Sequence, residues 1–372
     1  RRLNTDLDTR ALIQDLSLAQ KQMVLIARAI AEETRFLILD EPTAPLSNTE
    51  TEELFRVVED LAFNHNVGVV FISHRLPELF AICREITVMR DGTVVTSQPM
   101  NGLTAGDVVE LMLGRKFEEN YAKRPVEIGD TLFEVKGLTE LTGKITDVSL
   151  TVRSGEIVGV AGLVGAGKTE LCKTIFGALP ARSGEVLLRG KRLNVSSPYA
   201  AVKQGLALVP EERRKEGVLV EESVVTNLTA ASLSNFCGPM DFVRKRAERA
   251  AARKVIEDLR VKTPSEEQKV AYLSGGNQQK VAVGKWLIAE ADIYIFDEPT
   301  KGVDVGAKRE IFDLIGQLAA MGKGIIYASC ELSEILAITD RTYVMYDGRI
   351  VKELRTAETT EQEILYWSTG GK

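Results

Sequence analysis

The chain has 372 residues, of which 44% are hydrophobic, 6% are aromatic and 27% are charged. This length exceeds that of a usual single domain, so we expect at least two hydrophobic cores, and the composition is typical of a globular α/β protein rather than of a disordered or all-β chain. The net charge of −6 and the pI near 5.4 provide no basic surface field, and we therefore expect no nucleic acid partner.

The cysteines and the hydropathy pattern exclude two further classes of protein. Cys83, Cys172, Cys237 and Cys330 are widely separated and have no histidine cluster beside them, which argues against a zinc site and predicts reduced cytoplasmic thiols. No apolar run reaches the length of about twenty residues that a membrane-spanning helix needs. Because the sequence begins at Arg1 without an initiator methionine, we expect it to be a fragment of a longer chain.

A segment near the start of the chain returns near its end. The sequence RFLILDEPT at residues 35–43 recurs as DIYIFDEPT at residues 292–300, a separation of 257 residues. The segment LSLAQKQ at 16–22 matches LSGGNQQ at 273–279 with the same separation, and MRDG at 89–92 matches MYDG at 345–348 with a separation of 256. Three matches in the same order indicate a duplicated unit.

The two copies and the sequence between them predict three segments. Residues 1–100 form the last part of the first copy, and residues 101–130 form a polar linker with a short helical candidate at 106–113. Residues 131–372 form the second copy. Its glycine-rich loop has no counterpart in the first copy, so we expect the intact protein to be longer by at least about a hundred residues.

Secondary structure in the second copy follows from its apolar patterns. Strands of an antiparallel sheet are predicted at 132–135 and 148–152, and a buried strand is predicted at 156–161. Charged and amphipathic helices are predicted over residues 244–259 and 277–289. The continuous apolar run at 293–296 is typical of a strand inside a parallel sheet.

The strongest chemical motif follows the predicted strand at 156–161. Residues 162–169 fit the pattern G-x-x-x-x-G-K-[ST], in which backbone N–H groups surround phosphate and a helix N-terminus adds partial positive charge. We expect the lysine to reach the β and γ phosphates of ATP and the threonine to ligate Mg²⁺. A glycine turn that only caps a helix is the alternative. The predicted nucleotide-binding residues are Gly162, Leu163, Val164, Gly165, Ala166, Gly167, Lys168 and Thr169.

Two acidic residues end the predicted strand at 293–296. Asp297 holds the position of a Mg²⁺-directed carboxylate, and Glu298 is placed to orient or deprotonate the attacking water. Two acids at a buried strand end are costly without a cation, so a purely structural role is the weaker interpretation. We therefore predict Asp297 as a metal ligand and Glu298 as a catalytic residue.

The segment LSGGN at residues 273–277 precedes the helix predicted over residues 277–289. Ser274 can cap this helix, and Gly275 and Gly276 allow a ligand to approach its N-terminus. Serine-glycine pairs before helices are common, so this segment by itself indicates only a helix cap.

The motifs in their order resemble the ATP-binding cassettes of ABC transporters. The phosphate loop, LSGGN at 273–277 and FDEPT at 296–300 carry this resemblance. Together with VPEERR at 209–214 and TKGVDVGAK at 300–308, the two copies resemble the tandem-cassette ATPase of bacterial simple-sugar importers of the ribose, galactose and xylose type. The resemblance implies an α/β P-loop fold, duplicated, with a parallel sheet core, an antiparallel β subdomain and a helical subdomain.

The resemblance also implies a function and partners. ATP hydrolysis with Mg²⁺ would energise sugar import through transmembrane permease subunits at the cytoplasmic face of a bacterial membrane, with an extracytoplasmic sugar-binding protein as an indirect partner. Related nucleoside importers remain an alternative. A soluble two-cassette ATPase that acts on ribosomes or DNA is an alternative from another class, but such proteins usually carry complete signatures and a long basic linker.

In proteins of this kind each ATP lies between the phosphate loop of one cassette and the signature of the other. The competent site would therefore combine Asp40 as metal ligand and Glu41 and His74 as catalytic residues with the signature of the second copy, and its phosphate loop would lie outside this sequence. The signature residues that would contact the nucleotide are Ser274, Gly275, Gly276 and Asn277.

Several departures from the family pattern predict an impaired site at Lys168. The first copy reads LSLAQ at residues 16–20, without the signature glycines, and Cys330 replaces the switch histidine. Glu211, which we expect near the nucleotide, stands where many cassettes carry glutamine, and no aromatic residue lies near Thr142 to stack on adenine. A third interpretation is therefore that this chain binds ATP as a clamp without turnover.

Overall fold

The structure, a computed structural model, describes residues 10–16, 18–31, 34–43, 46, 48–73, 76–90, 92–104, 107–108, 111, 126–303 and 305–371. The chain divides into two compact units, here called the first unit (residues 1–119) and the second unit (residues 120–372). His74 and most of the helical candidate at 106–113 lie outside the described residues.

The described part of the first unit contains two pairs of strands and three α-helices. The strands are β1 (Phe36–Asp40), β2 (Gly68–Ile72), β3 (Glu85–Arg90) and β4 (Thr93–Pro99), and the helices are α1 (Leu18–Ala31), α2 (Asn48–Asn64) and α3 (Leu76–Ile82). Strands β1 and β2 are parallel, whereas β3 and β4 are antiparallel.

Helices cover one face of the β1 and β2 pair. Leu37 and Leu39 of β1 are buried in a cluster with Met23 and Ile26 of α1 and Leu54 of α2. The alternate side chains of the strand, at residues 36 and 38, are exposed. This alternation is that of a strand with one packed face.

The second unit contains two sheets. Its strands are β5 (Thr131–Glu140), β6 (Val148–Arg153), β7 (Ile157–Ala161), β8 (Ala181–Leu188), β9 (Lys191–Arg192), β10 (Leu206–Val209), β11 (Ile293–Asp297), β12 (Gly324–Ser329), β13 (Arg341–Tyr346) and β14 (Arg349–Arg355). The larger sheet has the order β10, β11, β12, β7, β13, β14. All of its neighbouring strands are parallel except the pair of β13 and β14, which is antiparallel. The smaller, antiparallel sheet has the order β6, β5, β8, β9. The predicted strands at 132–135, 148–152, 156–161 and 293–296 are confirmed.

The described helices of the second unit include both that the sequence predicted. They are α4 (Lys168–Ile175), α5 (Pro198–Lys203), α6 (Val224–Thr229), α7 (Lys245–Asp258), α8 (Gly275–Ile288), α9 (Val305–Ala320), α10 (Leu332–Ile338) and α11 (Glu361–Ser368). Helices α7 and α8 confirm the predictions at 244–259 and 277–289, although α8 begins two residues earlier than expected. Within the described ranges, no helix combines the length and apolarity needed to span a membrane.

Strands β7, β11 and β12 of the second unit are parallel neighbours, so their carboxyl ends lie at the same edge of the sheet. Every residue of β7, β11 and β12 is buried, which requires cover on both faces of the sheet. A separate apolar cluster joins helices α6, α7 and α8 through Leu228, Val255 and Val281. Loops that follow β7, β11 and β12 therefore converge at the edge where open α/β sheets bind ligands.

Candidate nucleotide site

The loop between β7 and α4 has the backbone geometry that phosphate binding needs. Gly165 and Gly167 have φ angles of 86° and 101°, values that favour glycine over residues with a side chain. A Cβ atom on Gly162 would come within 2.7 Å of the carbonyl oxygen of Met345, so only glycine fits there. Leu163 and Val164 are exposed at the loop tip, whereas Ala166 is buried beneath it.

Lys168 lies inside this loop rather than in solvent. Its Nζ donates to the carbonyl oxygen of Gly162 at 2.7 Å and to that of Leu163 at 3.2 Å. The same ammonium lies 3.6 Å from Oε1 of Glu298, and the lysine is only 6% exposed. A buried ammonium at the N-terminus of a helix is a site for an anion such as phosphate.

Asp297 is a buried carboxylate with one oxygen unsatisfied. Its Oδ1 accepts a hydrogen bond from Oγ1 of Thr169 at 3.2 Å, while Oδ2 has no hydrogen-bond partner among the described residues. Burial, together with the nearby charges of Glu211 and Glu298, raises the pKa of Asp297 to about 7, while the hydrogen bond from Thr169 and the charge of Lys168 oppose the rise. An unsatisfied buried oxygen next to a threonine hydroxyl fits a divalent cation, because hard cations prefer oxygen ligands.

Glu298 has a strained backbone and a fixed carboxylate. Its φ of 46° lies in the left-handed region, and its N–H donates to the carbonyl oxygen of Ala328 on β12 at 2.9 Å. Oε1 accepts from the backbone N–H of Cys330 at 2.7 Å, and Oε2 accepts from Ser329 Oγ at 3.3 Å. Burial raises the pKa of this carboxyl, with Lys168 opposing the effect. The protein thus holds Glu298 at the phosphate loop through strand β12.

Glu211 joins the site through an ion pair that sequence reasoning missed. Its Oε1 lies 2.6 Å from Nζ of Lys301, and its Oε2 lies 3.5 Å from Oγ1 of Thr169. The two hydrogen bonds of Arg213 to the carbonyl oxygens of Lys301 and Gly302 hold the loop that carries this lysine. Glu211 and Lys301 therefore form an ion pair, and the sequence of neither segment alone predicts this pairing.

The signature residues form a second feature, separate from the phosphate loop. Ser274 occupies the N-cap position of α8, as predicted. Its side chain makes no capping hydrogen bond, so the prediction of a side-chain cap is wrong. Its Oγ instead accepts from Nδ2 of Asn277 at 2.8 Å. A Cβ on Gly275 would lie 2.8 Å from the guanidinium of Arg213, and Gly276 is buried in the helix start. No hydrogen bond in the described structure joins residues 274–277 to residues 162–169.

In the first unit, Asp40 ends β1 and Glu41 follows it. Glu41 has a φ of 44°, and its N–H donates to the carbonyl oxygen of Ile72 at 2.8 Å. Both acidic residues are exposed, and Ser73 ends the described segment before His74. The structure thus describes Asp40 and Glu41 in one unit and Asp297 and Glu298 in the other.

A buried acid in the second unit also went unpredicted. Glu334 on α10 is 2% exposed and accepts from the hydroxyl of Thr300, two residues after Glu298. A signal existed in the repeat, since Glu78 precedes Glu334 by 256 residues, the separation already found for the final matched segment.

Comparison with known proteins agrees with this geometry. The family model for the ABC transporter matches residues 2–44 and 145–301. The ribose import ATP-binding protein RbsA 1 of Rubrobacter xylanophilus is 45% identical over 370 residues, covering 100% of this chain and 74% of that protein. A putative ribose/galactose/methyl galactoside import ATP-binding protein of Agrobacterium fabrum is 43% identical, covering 99% of this chain and 73% of its own length.

Solved structures give the same result for the fold. A nucleotide-free ATP-binding cassette from an ABC transporter superposes with a TM-score of 0.54 and 25% identity, covering 63% of this chain and 94% of that cassette. The post-hydrolysis cassette MJ0796, bound to ADP and phosphate, has a TM-score of 0.53 at 19% identity, a likeness of fold. The fold is thus that of an α/β P-loop cassette, and the chain belongs to the ABC transporter family.

Proposed function

We propose that this chain is an ATP-binding and ATP-hydrolysing subunit that energises the import of a simple sugar through a membrane permease. The observation that carries the proposal is the convergence of Lys168, Thr169, Asp297 and Glu298 at one edge of a parallel sheet. The names of the two relatives support a sugar of the ribose or galactose type. A nucleoside importer and a two-cassette ATPase without a transport role are the alternatives.

The residues of the second unit suit ATP as the substrate. Backbone N–H groups of the phosphate loop and the ammonium of Lys168 would bind its β and γ phosphates. Thr169 and Asp297 would hold Mg²⁺, which neutralises phosphate charge when it is bound. Glu298 would orient the attacking water. The unsatisfied Oδ2 of Asp297 supports the presence of a cation, since a buried carboxylate oxygen without a partner is costly.

We further propose that the chain contains parts of two cassettes, residues 1–100 and 131–372, joined by a linker at 101–130. The local match of the two strand ends supports the duplication: Glu41 and Glu298 share a left-handed backbone and the same hydrogen bond to the neighbouring parallel strand. Asp40, Glu41 and His74 would then belong to the catalytic residues of the first cassette, and residues 274–277 would be the signature of the second.

The Lys168 site is proposed to bind ATP with little turnover. Glu298 is held by the Cys330 N–H and lies against the Lys168 ammonium, and a thiol stands where the family carries its switch histidine. Burial and the Glu298 charge raise the pKa of Cys330 to about 11, so this side chain does not replace a histidine as a proton carrier at neutral pH. The permease would contact the cassettes at the cytoplasmic face of the membrane, with an extracytoplasmic binding protein delivering the sugar.

Binding and turnover of ATP by the chain and its Lys168→Ala variant test the nucleotide part of this proposal. We expect the variant to bind ATP with Mg²⁺ about a hundredfold more weakly, the loss produced by removing charge-assisted hydrogen bonds worth about 3 kcal/mol. Lys173→Ala is the matched control, because Lys173 lies on the same helix and pairs with Glu216 at 2.7 Å.

The outcomes separate the candidates. Weak binding by Lys168→Ala alone, with negligible turnover in every chain, supports an ATP clamp. Equal binding by all three chains would overturn the nucleotide site. Turnover at ordinary enzyme rates that depends on Lys168 would contradict the impaired site and make the second unit catalytic.

A further inference from the structure

A buried polar cluster shares Ser329 with the Glu298 carboxylate. Its centre is the carboxylate of Glu334, which accepts from Oγ1 of Thr300 at 2.7 and 2.9 Å and from Oγ of Ser329 at 3.1 Å. The hydroxyl of Tyr327 also donates to it, and Lys308 forms an ion pair with it. A buried carboxylate with this many donors is fully satisfied and holds its partners in one arrangement.

The partners of Glu334 come from the two segments that fix Glu298. Thr300 belongs to the loop that leaves β11 directly after Glu298. Ser329 ends β12, and its Oγ contacts both carboxylates, at 3.3 Å for Glu298 and 3.1 Å for Glu334. The next residue, Cys330, donates its N–H to Glu298. Glu334 therefore lies where it joins the loop after Glu298 to the turn that supports the Glu298 carboxylate.

The first unit contains matching contacts to a threonine and to a serine. Oε2 of Glu78 accepts from Oγ1 of Thr43 at 2.7 Å and from Oγ of Ser73 at 3.1 Å. Like Glu334, Glu78 is buried, and Thr43 follows Glu41 as Thr300 follows Glu298.

The remaining partners of the cluster differ between the units. At the positions that match Tyr327 and Lys308, the first unit has Phe71 and Thr51, which carry neither a phenol nor a charge. The contacts common to both units are thus those with the threonine and the serine, so these contacts do not require the lysine or the tyrosine.

We propose that Glu334 is a positioning residue that fixes the Glu298 carboxylate by tying Thr300 to Ser329. The proposal rests on the proposed function in one respect only, which is that Glu298 is the residue that faces the nucleotide. Without the Glu334 carboxylate, the Ser329 and Cys330 turn is released from the loop after β11. Glu298 then no longer stays in hydrogen-bond contact with Cys330.

The thiol of Cys330 offers a readout that needs no nucleotide. Cys330 is exposed, and its Sγ lies 3.6 Å from Oε2 of Glu298, whose negative charge opposes formation of the thiolate. Displacing Glu298 therefore speeds alkylation of Cys330. Cys237, which lies in another part of the second unit and donates to the carbonyl oxygen of Leu233 at 3.4 Å, serves as the internal reference.

The experiment measures iodoacetamide alkylation of Cys330 relative to Cys237 by peptide mapping in the full chain, without ATP. We expect Glu334→Gln to raise this ratio about tenfold, the change that one unit of thiol pKa produces. Thr300→Val removes the hydrogen bonds between residue 300 and Glu334 and keeps the shape of the side chain. We expect it to raise the ratio of Cys330 to Cys237 alkylation by a smaller factor. It keeps the proposal testable if Glu334→Gln does not fold.

Glu156→Gln is the matched control for general loss of stability. Glu156 is a buried carboxylate at the amino end of β7, and Arg341 binds it at 2.9 and 3.0 Å. An increased ratio in Glu334→Gln and Thr300→Val, with an unchanged ratio in Glu156→Gln, supports the proposal. An unchanged ratio in the folded site variants, or an equal increase in Glu156→Gln, would overturn it. Because the measurement contains no ATP, failure of ATP binding in the parent chain would refute the proposed function and leave this test standing.

Discussion

The ends of β1 and β11 carry the same four residues, Asp-Glu-Pro-Thr, and the same local backbone. Glu41 and Glu298 have φ angles of 44° and 46°, and each donates its N–H to a carbonyl oxygen of the neighbouring parallel strand. The surroundings of the two turns differ. Asp297 is completely buried beside a phosphate loop, whereas Asp40 is exposed. The same four-residue motif thus has the same turn geometry in both units, while its burial depends on the segments that surround it within residues 1–372.

The strands that lead into the two turns repeat this contrast. Ile38 of β1 and Ile295 of β11 have equivalent positions, two residues before the aspartate. Ile38 is 69% exposed and Ile295 is 0% exposed. Strand β11 has parallel neighbours on both sides and cover on both faces, whereas β1 pairs with β2 alone in the described structure.

The largest stability difference is expected at this pair of isoleucines. Ile295→Ala should lower the free energy of unfolding of the second unit by about 2 to 5 kcal/mol, because it leaves a cavity in a packed core. Ile38→Ala should change the free energy of unfolding of the first unit by less than about 0.5 kcal/mol, since most of the Ile38 side chain is already in water.

Each unit has its own probe for this test. Tryptophan fluorescence during urea unfolding follows the second unit, because Trp286 and Trp367 both lie there. Hydrogen exchange of the peptides that cover β1 reports the unfolding of the first unit. Equal losses at the two positions would mean that Ile38 is packed in solution, and the contrast between the strands would fail.

A smaller difference of opposite sign is expected at the two aspartates. Without Mg²⁺ and nucleotide, Asp297→Asn should raise the free energy of unfolding by about 1 to 3 kcal/mol, because it removes a buried charge that has an unsatisfied oxygen and two acidic neighbours. Asp40→Asn should change it by less than about 0.5 kcal/mol, because Asp40 is exposed.

Urea unfolding followed by tryptophan fluorescence measures the effect at Asp297, and hydrogen exchange measures it at Asp40. Addition of Mg²⁺ and ATP should stabilise the parent chain and not the Asp297→Asn variant. A loss of stability in that variant without ligands would contradict the assignment of Asp297 to a cation site.

The sequence predicted those features that depend on short patterns. The phosphate loop, the buried strands and the helices predicted over residues 244–259 and 277–289 followed from residue spacing. The pair of Glu211 and Lys301 did not, because it joins segments ninety residues apart that have no shared pattern. The capping bond of Ser274 failed for a local reason, since Asn277 binds the hydroxyl instead. The exposure of Ile38 depends on which segments surround β1, which its own sequence does not specify.

Sugar uptake by the host organism tests the contrast between the two units most directly. Cells lacking the gene would receive the parent gene or a variant with Glu41→Gln or Glu298→Gln, expressed at equal levels, and uptake of labelled ribose, galactose, xylose and a nucleoside would be measured. We expect Glu41→Gln to reduce uptake of one sugar to the level of the deleted strain, whereas Glu298→Gln keeps most of it. Loss of uptake in Glu298→Gln with retention in Glu41→Gln would contradict the account and make the Lys168 site the catalytic one.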